Sequence, residues 1–447
     1  MVTLFSGSQL RFEVAPGNAL RGRLRVPGDK SISHRAIILA ALADGVTEIT
    51  GFLEGADSLA TLSAFRAMGV SAEGPSDGRV VVHGVGLHGL QSAPAALNLG
   101  NSGTSMRLLA GLLAGQRFAS ALIGDLSLSQ RPMRRVTEPL VQMGARIDTT
   151  RAGTAPLRIF PVPGLHGIEY AMPVASAQVK SSLLLAGLYA DGVTCVTEPA
   201  PTRDHTERML GAFGWPVRRE GSRVCVQGGG RLTAVPIAVP ADMSSAAFFL
   251  VGASIAPGSE LVLEQVGMNP TRIGVLNILR AMGADIVVEH ERELGGEPVA
   301  DLRVRAAALK GIRIPEQQVP LAIDEFPALF IAAACAEGET LLTGAAELRV
   351  KESDRIQVMA DGLAKLGVDV EPRPDGVRIT GRGGAGLLGG GRVASRGDHR
   401  IAMAFAMAAL RATAPIVIDD CDNVMTSFPG FAAMAAGAGL GITELGR

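Results

Sequence analysis

A repeat runs along the whole chain and limits the folds open to it. Six segments each begin with an apolar helix rich in alanine and leucine and continue into a short strand, as in SISHRAIILAALADGVTEI. A second helix follows, ends near a glycine and leads into an alternating strand. The terminal glycines recur at intervals of roughly 70 to 84 residues. They are Gly69, Gly144, Gly214, Gly283, Gly367 and Gly439. The sequence therefore predicts six copies of one supersecondary unit.

The first and fourth segments are similar in sequence, and this similarity divides the six units into two groups of three. RVPGDKSIS in the first segment resembles AVPADMSSA in the fourth, and 447 residues exceed what one ordinary core accommodates. The sequence therefore predicts two domains, one of residues 27–240 and one of residues 1–26 plus 241–447. For the residues before Pro27 we predict a pair of short strands that lies outside the six repeats and could complete either domain.

The first helix of each unit is apolar nearly all round, as in AIILAALA, and this pattern indicates burial. We expect an α/β fold in which each domain is an inside-out α/β barrel. Three buried parallel helices would lie inside, with sheets and second helices outside. Parallel helices gather their N-termini at one end of the domain, where partial positive charge and unpaired amides attract anions.

Composition excludes several classes of function. With 42 basic and 43 acidic residues the chain has no general attraction for polyanions, and 4% aromatic residues leave no stacking surface for single-stranded nucleic acid. No apolar run reaches the ~18 residues that span a bilayer, and the N-terminus lacks the pattern of a secretion signal. We expect a cytoplasmic protein whose cysteines are reduced. They are Cys195, Cys225, Cys335 and Cys421, too widely spaced for a zinc or redox motif.

Cationic and hydroxyl side chains are concentrated where the buried helices should start. Lys30, Ser31 and Arg35 in RVPGDKSISHR are the first such group. A serine or aspartate at a helix start is more often a cap than a ligand, and taken singly Ser31, Asp324 and Asp398 favour capping. Lysine and arginine, by contrast, oppose the helix dipole at this end. An anionic ligand would resolve that conflict.

Eight motifs, in order over essentially the whole length, resemble those of the 5-enolpyruvylshikimate-3-phosphate (EPSP) synthase family. The class II bacterial group is the most similar. The resemblance implies the enolpyruvyl transferase fold, with the active site in a cleft between the domains. It also implies transfer of the enolpyruvyl group of phosphoenolpyruvate to the 5-hydroxyl of shikimate 3-phosphate, with release of phosphate, in the shikimate pathway to chorismate and aromatic amino acids. The motifs are PGDKSISHR, GNSGTSMR, QRPM, SAQVKS, RDHTE, DEFP, RVKESDR and DHRIAM.

The same resemblance implies roles for individual residues. Asp324 is the candidate base for the attacking hydroxyl, Glu352 the candidate acid for the methylene carbon, and Lys30 a third catalytic residue. No cofactor, metal, nucleic acid or membrane is implied, and the usual state is a monomer. The residues expected to bind shikimate 3-phosphate are Lys30, Ser31, Arg35, Ser176, Ala177 through its backbone, Gln178, Arg203, Asp324 and Lys351. Those expected to bind phosphoenolpyruvate are Lys30, Gly103, Thr104, Arg131, Gln178, Arg355, His399 and Arg400.

Three positions qualify the resemblance. Ser427 stands where the class I pattern has a lysine that binds phosphoenolpyruvate, and Glu347 stands where an asparagine is expected. Glyphosate occupies the phosphoenolpyruvate site in this family, and a methyl group at Gly103 would crowd it. Because this chain has glycine there, inhibition by glyphosate is expected.

Two other functions share features with this sequence. The enolpyruvyl transferase acting on UDP-N-acetylglucosamine has the same fold, but it relies on a cysteine a few residues before the arginine that matches Arg131, and GDLSLSQRPM has none. A noncatalytic anion-binding relative would bind its ligand without turnover. The presence of Asp324, Glu352 and Lys30 opposes this second alternative.

Overall fold

The computed structural model of the protein describes residues 10–385 and 391–446. Within them the chain forms two compact units. The first unit comprises Gly28–Pro240 and the short segment Glu293–Glu297, which the predicted boundaries assigned to the other domain. The second unit comprises the described parts of residues 1–27, 241–292 and 298–447, and residues 1–9 of the predicted second domain lie outside the description.

The first unit repeats the order helix, strand, helix, strand, strand, with extra short elements. Two strands precede it, β1 (Arg11–Val14) and β2 (Arg21–Leu24). Its helices are α1 (Lys30–Leu42), α2 (Ala56–Ala67), α3 (Gly103–Ala114), α4 (Leu126–Gln130), α5 (Arg134–Gln142), α6 (Ala177–Gly187) and α7 (His205–Ala212). Its strands are β3 (Ala43–Thr50), β4 (Ser71–Ser76), β5 (Arg79–Val85), β6 (Leu97–Asn98), β7 (Ser120–Ile123), β8 (Arg146–Asp148), β9 (Leu157–Phe160), β10 (Leu165–His166), β11 (Glu169–Ala171), β12 (Ala190–Asp191), β13 (Val193–Thr197), β14 (Val217–Glu220), β15 (Arg223–Gln227), β16 (Leu232–Thr233) and β17 (Ile237–Ala238).

The second unit follows the same order. Its helices are α8 (Met243–Ile255), α9 (Gly274–Ala281), α10 (Phe326–Cys335), α11 (Arg355–Lys365), α12 (His399–Ala408) and α13 (Phe431–Gly437). Short 3-10 turns are Glu316–Gln318, Ala346–Val350, Gly383–Ala385, Ala409–Arg411 and Asp422–Thr426. The strands after Pro240 are β18 (Glu260–Gly267), β19 (Asp285–Leu294), β20 (Glu297–Arg305), β21 (Glu337–Leu342), β22 (Asp369–Arg373), β23 (Gly376–Arg382), β24 (Arg392–Ala394), β25 (Ile416–Asp419) and β26 (Ile442–Leu445).

The two N-terminal strands do not pair with each other, contrary to the predicted strand pair. Strand β1 lies between β25 and β26 and is antiparallel to both, with Phe12 opposite Ile418 on one side and Glu444 on the other. Strand β2 joins a different sheet, where it runs parallel to β18. Both strands belong to sheets of the second unit, β1 as an interior strand and β2 as an edge strand that satisfies hydrogen-bonding groups of β18.

The first helix of each repeat is buried, as its sequence predicts. All thirteen residues of α8 are buried, and α1, α3, α6, α10 and α12 are buried over most of their lengths. Helices α3 and α6 approach so closely that a Cβ at Gly111 would lie 2.0 Å from the carbonyl oxygen of Ser182. Across the residues that the structure describes, no helix is long and apolar enough to cross a membrane.

The prediction that all four cysteines are reduced is wrong for two of them. Cys195 on β13 and Cys225 on β15 lie directly opposite each other in antiparallel register and form a disulfide across 30 residues of sequence. Spacing along the chain cannot reveal this pairing, because the strand register brings the two residues together. Cys335 and Cys421 are buried free thiols, and burial raises the pKa of each to about 12.

Candidate functional site

Three buried helices of the first unit begin with residues predicted to bind substrate. The N-terminus of each is capped by a side chain that accepts a backbone amide: Asp29 on α1, Ser102 on α3 and Ser176 on α6. The cap on α1 is therefore Asp29, which accepts from the Ile32 amide at 2.8 Å, and not Ser31. Gly103 and Ala177 are the first residues of α3 and α6.

Arg35 links α1 to α6 and α7 through a buried guanidinium. Its Nη2 donates to the Ser181 hydroxyl at 2.7 Å and its Nε donates to the Thr206 hydroxyl at 2.6 Å. A further donor, Nη1, returns to the Ser31 carbonyl oxygen at 2.9 Å. Arg35, predicted as a ligand of shikimate 3-phosphate, therefore also fixes the spacing of these helices.

Gln178 joins α6 to α3. Its side-chain oxygen accepts from Arg107 Nη1 at 2.7 Å, and its side-chain nitrogen donates to the Thr104 hydroxyl at 3.0 Å. Arg107 is buried. A hydrogen-bonded guanidinium thus stands beside Gly103, and its Nη1 would lie 2.7 Å from a Cβ at that position.

Two further cations of this group, Lys30 and Arg131, are also held by protein oxygens. Lys30 Nζ lies 3.2 Å from Asp57 Oδ2, a carboxylate in the first turn of α2 that the sequence analysis missed. Arg131 is buried and donates from Nη2 to the Asn101 side-chain oxygen at 2.6 Å. Arg203 is half-buried in the loop before α7. Acidic residues in a first helical turn are common, and this is why Asp57 carried no distinct signal.

A buried histidine continues the polar network beneath these helix starts. His34 on α1 is fully buried, and its Nδ1 lies 2.7 Å from the Thr61 hydroxyl of α2. That hydroxyl contacts Ser105 Oγ at 2.6 Å, which in turn contacts the Ser102 cap at 2.7 Å. Burial, followed by the charges of nearby cations, lowers the pKa of His34 to about 3. The imidazole is therefore neutral and links α1 to the start of α3.

We expect His34 to make the folded protein sensitive to acid. An unfolded histidine has a pKa near 6.5, whereas the folded group resists protonation down to about 3. Its contribution is present above pH 6.5 and is lost as the pH falls toward 3, at about 1.4 kcal/mol per pH unit. A His34→Asn variant should show a shallower fall in the free energy of urea unfolding between pH 6 and 4.5. A matching change in the exposed His83→Asn variant would contradict this assignment.

In the second unit one guanidinium holds three carboxylates. The Arg355 side chain is only 1% exposed, and its Nε lies 2.9 Å from Asp398 Oδ2. Its Nη1 lies 3.2 Å from Asp324 Oδ1, and its Nη2 lies 2.6 Å from Glu352 Oε2. Burial opposes the charge, but Asp398, Glu352 and Asp324 together outweigh burial and raise the pKa of Arg355. The two candidate proton-transfer carboxylates are thus fixed beside a permanent positive charge.

Lys351 adds a second cation to this group. Its Nζ lies 3.6 Å from Asp324 Oδ1 and 3.6 Å from Glu347 Oε1. Glu347, which departs from the family pattern, therefore pairs with a predicted substrate ligand. The other departure, Ser427, is buried. Asp324 consequently has two cationic neighbours.

Asp398 caps a helix and also binds a cation, so its capping role does not exclude a second role. Its Oδ1 accepts from the Arg400 amide at 3.0 Å at the start of α12. Its Oδ2 accepts from Ser353 Oγ at 3.1 Å and from Arg355. His399 and Arg400 are the first two residues of α12, and both are buried. Asp324 is not a cap, since α10 has no side-chain cap hydrogen bond.

The two groups have complementary chemistry. The first unit offers guanidinium, ammonium and hydroxyl donors at helix N-termini, a combination suited to phosphate and carboxylate groups. The second unit offers two carboxylates, Asp324 and Glu352, whose positions are set by Arg355. Proton transfer to or from a ligand requires such positioned carboxylates.

Comparison with known proteins identifies relatives across the whole chain. The family model described as EPSP synthase (3-phosphoshikimate 1-carboxyvinyltransferase) matches residues 14–434. A protein of Alkalilimnicola ehrlichii named 3-phosphoshikimate 1-carboxyvinyltransferase is 70% identical over 97% of both chains. A protein of the same name from Methylococcus capsulatus is 68% identical over 96% of this chain and 98% of its own. The solved EPSP synthase of Acinetobacter baumannii is 59% identical and superposes with a TM-score of 0.88, covering 98% of this chain and 100% of that one.

Proposed function

Because the chain belongs to the EPSP synthase family, we propose that the two groups of residues described above bind its substrates and move its protons. The reaction transfers the enolpyruvyl group of phosphoenolpyruvate to the 5-hydroxyl of shikimate 3-phosphate and releases phosphate, as a step of the shikimate pathway. The fold is the two-domain enolpyruvyl transferase fold.

The assignment to shikimate 3-phosphate is supported by the donors at the starts of α1 and α6. Lysine, arginine and hydroxyl groups at a helix N-terminus favour phosphate, and the macrodipole adds to their attraction. The proposed ligands are Lys30, Ser31, Arg35, Ser176, Ala177, Gln178, Arg203, Asp324 and Lys351. For phosphoenolpyruvate they are Lys30, Gly103, Thr104, Arg131, Gln178, Arg355, His399 and Arg400.

The observation that carries the proposed proton transfers is the contact of Arg355 with Asp324 and Glu352. Asp324 removes the proton of the attacking hydroxyl, and Glu352 protonates the methylene carbon, giving a tetrahedral ketal with a methyl group. Return of one methyl proton to Glu352, together with loss of phosphate, then restores the carbon–carbon double bond. Arg355 holds both carboxylates in position for these transfers.

The function is tested by phosphate release from purified protein given phosphoenolpyruvate and shikimate 3-phosphate, with a chelator present and each substrate omitted in turn. We expect release that requires both substrates and survives the chelator. Saturable binding of shikimate 3-phosphate without release would instead support a noncatalytic anion-binding protein. Release with UDP-N-acetylglucosamine in place of shikimate 3-phosphate would support the related transferase.

An Asp324→Ala variant should lose about 10²- to 10⁴-fold in kcat, the range typical of a positioned acid or base. The measurement is steady-state phosphate release, with thermal unfolding to verify folding. Asp361→Ala on α11 is the matched control, because Asp361 is an exposed carboxylate that contacts Gln357 of the same helix. Full turnover by Asp324→Ala would remove Asp324 as the base.

We also propose that the enzyme works as a monomer in the cytoplasm, the state that the family resemblance implies. Light scattering during size-exclusion chromatography should give the mass of one chain, 46.2 kDa. A mass of two chains or more at micromolar concentration would contradict the monomer.

A further inference from the structure

A buried chain of polar side chains lies behind the candidate base. Arg272, in the loop before α9, donates from Nη2 to Asp242 Oδ1 at 2.8 Å and to Ser244 Oγ at 2.7 Å. The Ser244 hydroxyl donates in turn to Glu325 Oε1. All four side chains are buried, and Glu325 is 1% exposed. The chain therefore connects the start of α8 to the residue next to Asp324.

The members of this chain are themselves fixed. Asp242 caps α8 by accepting from the Ser244 amide at 3.0 Å. The backbone amide of Arg272 donates to the Asn269 carbonyl oxygen at 2.8 Å, which shapes the loop that presents the guanidinium. A buried carboxylate costs several kcal/mol unless it is hydrogen-bonded, so Glu325 favours the one backbone position from which it reaches Ser244.

Glu325 lies immediately before the first residue of α10 and has no capping role there. The turn that carries it also carries Asp324, whose carboxylate contacts Arg355 and Lys351. Fixing the Glu325 side chain therefore restricts the backbone of its neighbour. A misplacement of about 1 Å at a reacting group can cost about 10²-fold in rate.

We propose that Glu325, through Ser244 and Arg272, is a positioning residue that holds Asp324 in the geometry needed to take the proton of the substrate hydroxyl. It acts only through Asp324 and does not touch substrate. The proposal rests on the proposed role of Asp324 as the base. The DEFP motif thus carries two functions, one in each of its adjacent carboxylates.

The test measures kcat and KM for both substrates in Ser244→Ala, Glu325→Ala and Glu325→Gln. We expect kcat to fall about 10- to 100-fold in the two alanine variants with KM changed less than threefold, since the substrate ligands are retained. Glu325→Gln keeps an oxygen that accepts from Ser244, and its kcat should recover to within about fivefold of the parent. The matched control is Ser254→Ala, a buried serine at the other end of α8, which should leave kcat unchanged.

A double variant separates positioning from general damage. If Ser244 acts through Asp324, adding Ser244→Ala to Asp324→Ala should lower kcat by less than twofold, because the group to be positioned is gone. An additive further fall of 10-fold or more would overturn the proposal. A folded Ser244→Ala variant with the kcat of the parent would also overturn the proposal. Ser244→Ala therefore tests the proposal even if Glu325→Ala does not fold.

The outcome also separates this proposal from the proposed function. If Asp324→Ala keeps full turnover, both the base assignment and the positioning role fail. If Asp324→Ala loses turnover while Ser244→Ala and Glu325→Ala retain it, only the positioning role fails.

Discussion

An Arg355→Ala variant is expected to lose at least about 10³-fold in kcat/KM and about 3–5 kcal/mol of unfolding free energy, the range measured when one partner of a buried ion pair is removed. The guanidinium contacts Asp398, Asp324 and Glu352, and its loss removes the one cation that all three carboxylates share. Both effects have one cause. The carboxylates repel one another and lose their geometry.

The measurements are steady-state phosphate release and urea unfolding at pH 7.5. Arg378→Ala is the matched control, because Arg378 also contacts three carboxylates, those of Glu371, Glu339 and Asp369, but its side chain is 28% exposed. Solvent screens that group, and we expect a loss below about 1 kcal/mol and unchanged kinetics. Equal losses in the two variants would show that burial at Arg355 is unimportant.

A Gly103→Ala variant is expected to lose sensitivity to glyphosate by about 5- to 150-fold, with a smaller rise in KM for phosphoenolpyruvate. The new methyl group would lie 2.7 Å from Arg107 Nη1 and 3.1 Å from Arg131 Nη1. Both guanidinium ends must move, and overpacking of this kind costs about 1–3 kcal/mol, equivalent to that range of affinity. The structure thus adds the displaced arginines to the direct crowding that the sequence predicts.

Gly211→Ala on α7 is the control, since a Cβ there meets nothing within 4 Å. It should leave inhibition and KM unchanged, and the helix should gain slightly in stability because alanine is the better helix former. Inhibition constants for glyphosate are measured in competition with phosphoenolpyruvate. Identical constants for the Gly103→Ala and parent proteins would reject the steric explanation.

The repeat could be predicted from the sequence because it depends on local patterns of apolar residues and glycines. Helices such as α8 are apolar on every face, and a chain can satisfy that pattern only by burying them. Gly69 and Gly144, at the ends of second helices, have φ values of 90° and 96°, a region that only glycine enters without strain. Helix positions and the residues at their starts follow from such patterns. The family resemblance then supplied candidate roles.

Contacts between residues distant in the chain could not be predicted from such local patterns. Cys195 and Cys225 pair because β13 and β15 align, and Asp57 meets Lys30 because α2 folds back toward α1. Nothing local distinguishes Asp57 from an ordinary acidic residue of a first turn. His34 likewise gives no sign in its sequence that it is buried beside Thr61.

Local sequence patterns specify the sixfold repeat, the buried helices and the cations and hydroxyls at their starts, because the spacing of apolar residues and the ends of helices depend on neighbouring residues. How those side chains are used depends on contacts made in the folded chain. Arg355 binds three carboxylates drawn from the segments that precede α10, α11 and α12, and Glu325 reaches Ser244 across 81 residues. Such partners are selected by packing, which brings buried charges together wherever the chain must neutralise them.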